Sequence, residues 1–413
     1  VTYDTYGNPA SVVDEQGKGH FFEFDYNSAK KEFYARIRTS ANMIKEVWYD
    51  KNGDTKRVDV NGRTIQSIAK DGRNLIITDE SGHVTRKEFD EWDNLVKVIY
   101  PDDSTASFEY EHTYNRRIKE TDENGNITQY EYDDSGYLTQ KTEAAGSEHA
   151  RITAYTYDDD GNLLTTTRLA DGDTAEAVTT MTYDAYGNLT SVTDAENNTT
   201  QFTAHDIMGN VLTKLNARNK TWTYAYDDAG RLSVVTDPLN NITQLFYDEV
   251  GNKVKEIDAE GQEKLFEYDD NDNLIKTTAV IDPDHPENNL ITTFEYNTDN
   301  KLTKQTDAEG KVIRYEYDSE GRLVKTLDGN NNEIAVEYDD DSGSGCSSCS
   351  GGGTNQPSRV VYPTFEKTFA YDERGRKVSE TDILSDTESY VTGFAYDDSG
   401  NLVSKTDKEN KTT

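Results

Sequence analysis

Large side chains recur two residues apart in short runs, and each run stops at a cluster of turn-forming residues. The stretch from Thr223 to Asp248 shows the unit. Tyr224 and Tyr226 fall on one face of a strand. Asp227-Asp228-Ala229-Gly230 follows, with Asp at the first position of a type I turn and Gly at the fourth, where positive φ is needed. Leu232 and Val234 open a second strand. Asp237-Pro238-Leu239-Asn240 is a second turn of the same design, with Pro at its favoured place and Asn where Gly would stand. A third strand, 243–247, leads into the next unit. Tight turns of this kind force antiparallel neighbours. The runs are rich in Thr, Val, Tyr and Phe, which suit a half-buried pleated surface, and no segment carries a convincing helical period. The expected fold is all-β with almost no helix and about half of the residues in strands, above the usual base rate.

The unit repeats along the whole chain. Tyr-Asp occurs 12 times, from Tyr3 to Tyr396, and degenerate forms such as Phe24-Asp25, Phe89-Asp90 and His205-Asp206 fill most gaps. His205, Tyr226, Tyr247 and Tyr268 are spaced by 21 residues, as are Tyr296, Tyr317 and Tyr338. The second turn recurs at Asp14–Gly17, Asp79–Gly82, Asp122–Gly125, Asp194–Asn197, Asp258–Gly261, Asp307–Gly310 and Asp407–Asn410. About 18 units are counted, a number suited to a stacked array. One period from end to end predicts a single array over 1–413, with loop insertions near 169–177, 280–289 and 342–357. Tyr226, Tyr247 and Tyr317 are expected to be largely buried against neighbouring strands, with positive φ at the Gly that follows each.

Tyr-Asp-x-x-Gly-Asn/Arg-Leu, about ten residues before Thr-Asp-x-x-Gly-Asn, resembles the YD (RHS) repeat. Tyr132-Asp133 to Leu138, Tyr183-Asp184 to Leu189, Tyr317-Asp318 to Leu323 and Tyr396-Asp397 to Leu402 carry the resemblance. The family includes bacterial RHS and wall-associated polymorphic toxins, the C component of insecticidal toxin complexes and the teneurins. The resemblance implies a continuous antiparallel β-hairpin ribbon wound as a spiral shell or solenoid, which in the toxins holds an inactive effector and in teneurins is an extracellular scaffold. It departs from the toxins in lacking a C-terminal core signature and an effector segment. Both ends fall in mid-repeat, so the chain is expected to be a segment of a longer protein, with any secretion signal outside it.

Charge narrows the partners. Lys plus Arg number 43 and Asp plus Glu 79, a net charge of −36. Such a surface repels nucleic acid and anionic membranes, and the absence of a long apolar run predicts no membrane insertion. Low hydropathy would suggest disorder, but 27 Tyr, 13 Phe and 3 Trp argue for a folded chain.

Candidate chemistry is sparse. Cys346 and Cys349 lie in a Gly/Ser loop with no second pair and no nearby His. A local disulfide, free or intermolecular thiols, and metal held between copies all remain open; the extracellular setting of the family favours the disulfide. The acidic runs Asp158–Asp160 and Asp269–Asn273 bunch oxygen ligands but fit no EF-hand loop, and turn formation accounts for them. Six His are scattered without a recurring partner, and neither GxSxG nor HExxH occurs. No catalytic residue, cofactor site or metal site is assigned. Exposed tyrosines could stack on glycans, whereas cross-strand Tyr pairs would only bind the ribbon together.

Three functions compete: a non-catalytic shell of a secreted or cell-surface protein enclosing an effector, an adhesion or self-assembling filament module that binds cells, glycans or its own copies, and a glycan-acting enzyme. The first is expected.

Overall fold

The computed structural model describes residues 1–3, 9–13, 19–27, 29–30, 32–39, 43–170, 174–338, 356–409 and 411–413. The Asp14–Gly17 turn, Asn410, insertion residues 171–173 and the Cys346/Cys349 loop lie outside them. The described residues form 36 strands of one antiparallel sheet and a single 3-10 turn, Pro286–Asn288, inside the 280–289 insertion. Strands take up just over half of the chain. Two compact units divide them. One holds Val1–Ala106, Tyr268–Lys276 and Thr292–Thr413; the other holds Ser107–Glu267 and Thr277–Ile291.

In the second unit every strand pairs with its sequence neighbours, as the short turns require. Strand Thr221–Tyr226 pairs with Leu232–Thr236, which pairs with Ile242–Tyr247. The first unit repeats this between Leu302 and Leu327. It also carries longer strands, Gly19–Asn27 and Glu32–Thr39, paired in unbroken register.

The Tyr-Asp hairpins from Tyr132 to Tyr247 contain a β-bulge that the residue pattern did not predict. Ala225 pairs with Val234 but Tyr226 with Leu232, so Ser233 is left over. The same step recurs at Tyr132, Tyr183, Tyr317 and Tyr396. The extra residue bends and twists its strand. Where it bears a hydroxyl, it can donate back across the bulge. Ser233 Oγ donates to the Ala225 carbonyl at 3.1 Å, Thr139 to Glu131 at 3.1 Å and Thr303 to Glu295 at 3.0 Å.

The tyrosines close the other side. Pairing of Leu232–Thr236 with Ile242–Tyr247 ends at Val234 and Gln244. Beyond it, the Tyr247 hydroxyl donates to the Leu232 carbonyl at 2.9 Å. Tyr226 does the same to Val211 at 3.0 Å and Tyr317 to Leu302 at 2.8 Å. Tyr132, Tyr157, Tyr183, Tyr296, Tyr338, Tyr371 and Tyr396 repeat the bond. Each ring therefore ties its own hairpin to the preceding one. These rings are half-buried rather than largely buried. The reason is that they lie along a sheet rather than in a packed interior. Among the described residues only five apolar side chains are buried: Tyr34, Trp48, Val98, Ala106 and Val360.

The turns follow the expected design and add a contact. Gly230, Gly251 and Gly321 have φ of 77°, 107° and 77°, and Asn240 has 66°. Asp227 Oδ1 accepts the amides of Ala229 and Arg231 at 3.0 and 2.9 Å, while Oδ2 accepts Arg231 Nε at 2.7 Å. Where Asn stands at the fifth place, its amide group takes the Arg role, as Asn162 does on Asp158 at 3.0 Å. That amide is the leading reason the Asp158, Asp184, Asp194, Asp206 and Asp237 carboxyls sit below their ordinary value. At Tyr110 the following residue is Glu111. Partial desolvation works to raise its carboxyl, but the Arg116 guanidinium and three backbone amides overcome that and hold it down to about 2. The fifth residue also reaches the next turn. A Cβ at Gly161 would lie 2.2 Å from Tyr137 Oη, whereas one at Gly82 would meet nothing within 4 Å.

Three outcomes follow from this geometry. Tyr247→Phe leaves the Leu232 carbonyl to water and should cost about 1 kcal/mol, read as faster amide exchange in 232–247 but not in distant repeats. Gly82→Ala should cost about 1 kcal/mol for its positive φ alone; Gly161→Ala must also displace Tyr137 and should lower the urea midpoint distinctly further. A carboxylate with a depressed folded pKa stabilises the fold above its unfolded value and loses that contribution as pH falls through the folded one. The melting temperature should therefore drop steeply between about pH 4 and pH 2; a flat profile over that range would contradict the role given to the turn aspartates.

Candidate functional site

The residues that carry most reactive chemistry are kept apart. His83 Nδ1 lies 3.1 Å from Asp79 Oδ2, in its own turn. His285 Nδ1 lies 3.1 Å from Glu287, in the 3-10 segment. The His149 ring lies 3.6 Å from the adjacent Glu148, and His20 stacks on Phe22. Asp158 and Asp269 spend their oxygens on amides of their own turns. Among the described residues no group of three His, Cys, Asp or Glu is placed to hold a metal ion. Cys346 and Cys349 lie outside the described residues.

What the fold does gather is a set of turns from distant parts of the first unit. Arg63 Nη2 meets Glu320 at 2.7 Å, Asn61 Nδ2 donates to the Ser319 carbonyl at 3.2 Å, and Thr39 Oγ1 donates to Asp299 at 3.2 Å. Further along, the Arg374 guanidinium lies 4.0 Å from the Tyr100 ring centre and donates to Ser104 Oγ at 3.3 Å. Arg376 Nη2 reaches Asp102 Oδ2 at 3.3 Å. Burial works to raise the Asp102 carboxyl, but Ser104, Arg374 and Arg376 together hold it below its ordinary value. A groove of about 630 Å³ runs beside this seam, lined by Ile65, Ile77, His83, Tyr100 and Arg374 among others. Periodicity could not show the seam, because every turn reads alike and only the fold decides which two meet. The one sequence signal was Arg374, a cation at a turn position usually filled by a small or acidic residue.

A second groove, of about 940 Å³, lies in the second unit between the turns Asp184–Asn188 and Asp206–Asn210. Tyr186, His205, Ile207 and Met208 contribute to its wall. No helix among the described residues is long and apolar enough to cross a membrane.

The Tyr-Asp hairpins, their bulges and their turn carboxylates form one repeated element, and comparison with known proteins gives it relatives. The chain is similar to the solved TcdB2-TccC3 structure, with a TM-score of 0.70 and 15% identity over 98% of this chain and 27% of that one. A form of that protein without its hypervariable C-terminal region gives a TM-score of 0.66 and 16% identity, over 94% of this chain and 22% of that one. At such identity the likeness speaks for the fold, and the chain spans about a quarter of those longer proteins. A search of curated proteins returns no significant match. The RHS Repeat family matches residues 296–333, and the Teneurin YD-shell family matches residues 14–288. That second match takes in well over half of the sequence, and the chain belongs to the teneurin YD-shell family.

Proposed function

We propose that residues 1–413 are one YD-repeat array forming a non-catalytic wall segment of a secreted or cell-surface bacterial protein, and that the wall encloses a toxin or effector encoded outside this segment. The observation that carries this reading is the use each repeat makes of its own polar groups. The Tyr hydroxyl, the Asp carboxylate and the Asn or Arg at the fifth place are engaged within the repeat or with its neighbour. Such groups build a surface that persists rather than reacts, since catalysis needs convergent groups left available for substrate. The likeness in fold to TcdB2-TccC3 over nearly all of the chain supports the same reading. The partners are then the enclosed segment or neighbouring copies of the protein, and the place of action is outside the cell.

Electron microscopy of the full-length gene product tests this. Discrete hollow particles are expected, with the effector segment resisting added protease until the particle is opened by acid or denaturant. Long helical polymers of the repeat chain, or an effector cleaved as fast as a free one, would overturn the enclosing role.

A further inference from the structure

The tyrosine bonds of the second unit skip one hairpin. Tyr132, Tyr157, Tyr183, Tyr226 and Tyr247 each reach a carbonyl of the preceding hairpin. At the equivalent place His205 has a shorter ring with no hydroxyl, and the structure shows no such bond to Leu189. The groove between the flanking turns is about 940 Å³ here. Between the Asn297 and Asp318 turns of the other unit, where Tyr317 keeps its bond, the comparable groove is about 510 Å³.

The same two turns carry unusual tips. Equivalent positions hold Asp159-Asp160, Asp228-Ala229 and Ser319-Glu320; here they hold Ala185-Tyr186 and Ile207-Met208. Tyr186 is 92% exposed, Ile207 104% and Met208 71%. Exposed apolar side chains scattered singly need no explanation, but three around one concavity do. No Lys or Arg lines this groove, whereas Lys301 lines its counterpart. Asp184 and Asp206 stand at its two sides, and the Oδ2 atom of each takes one side-chain hydrogen bond, from Asn188 and Asn210 at 2.9 Å. A carboxylate oxygen has room for a second donor.

We propose that this groove docks an extended peptide segment bearing an apolar side chain next to a lysine or arginine. The apolar side chain covers Tyr186, Ile207 and Met208, and the cation meets Asp184 and Asp206. Charge complementarity selects this occupant: the wall offers Asp184 and Asp206 with His205 as the one basic side chain beside them and no lysine or arginine, on a chain whose net charge of −36 draws basic segments toward it. The inference holds whether or not the array encloses an effector.

The 413-residue chain and a fluorescein-labelled peptide alternating lysine with phenylalanine or leucine provide the test, read by anisotropy at physiological salt. His205→Tyr fills the groove without removing an acidic group and should weaken binding at least about tenfold. It should also raise the melting temperature by restoring the hydroxyl bond to Leu189. Tyr186→Ser, at a fully exposed position, should weaken binding with no change in melting. Leu239→Ser, on a turn of the other type, should leave binding unchanged. Equal affinity for wild type and both groove variants would mean general attraction to an acidic chain and would overturn the proposal. So would equal binding of a peptide with glutamate in place of lysine, or displacement of the peptide by neutral oligosaccharides.

Discussion

A phenol hydroxyl that reaches the carbonyl of the preceding hairpin holds together a sheet with very little buried interior. The β-bulge opposite each repeat tyrosine creates the need for it. By bending one strand, the bulge goes with strand pairing to the preceding hairpin that ends short, as at Val234 and Gln244. The carbonyl of Leu232 then needs another donor, and Tyr247 supplies it. Each such bond is worth only about 1 kcal/mol. In an array every contact of this kind lies between neighbours, so repetition rather than depth of burial sets the stability. This also accounts for Tyr over Phe at most repeat positions: the ring covers apolar surface, but the hydroxyl makes the join.

The acidic composition follows partly from the same geometry. Tyr-Asp turns such as the one at Asp227 place a carboxylate that accepts two amides, and many second turns, as at Asp237, place another, although Asn216 fills that role with its side-chain carbonyl. At Asp227 and Asp237 the donors of the turn hold the carboxyl below its ordinary value. Many of the lysines and arginines sit in cross-strand pairs such as Lys255 with Glu263 and Lys304 with Glu295, each at 2.7 Å. Exposed pairs of this type contribute little to stability. The remaining negative charge discourages strand edges of separate copies from pairing.

Turns and strands were legible because they depend on local chemistry. Asp at the first turn position and Gly or Asn at the fourth determine the backbone within five residues, and Gly230 and Asn240 adopt the conformations that pattern implies. The bulge was not legible, since Ser233 looks like any strand residue until its partner is known. Burial of Tyr226, Tyr247 and Tyr317 was overestimated because an aromatic ring in a strand pattern ordinarily packs into a second layer, whereas here it lies across a neighbouring strand. The Arg374, Tyr100 and Asp102 seam was out of reach for a different reason. It joins residues some 270 positions apart, and the repeat pattern, alike at equivalent turns, does not say which two meet; Arg374 departs from it.

A regular array commits the same groups to the same bonds in every repeat, so any specific recognition must arise where the pattern breaks. Two kinds of break are visible among the described residues. Arg374 places a cation at a turn tip and with it grips the ring of Tyr100; this departure is absorbed by the fold. His205 instead removes a bond, and Tyr186, Ile207 and Met208 expose apolar surface around the same groove. A substitution that gives up both a hydrogen bond and solubility costs stability in the isolated chain. Its cost is offset only if a partner covers the surface, and that distinction separates a break that serves folding from one that serves binding.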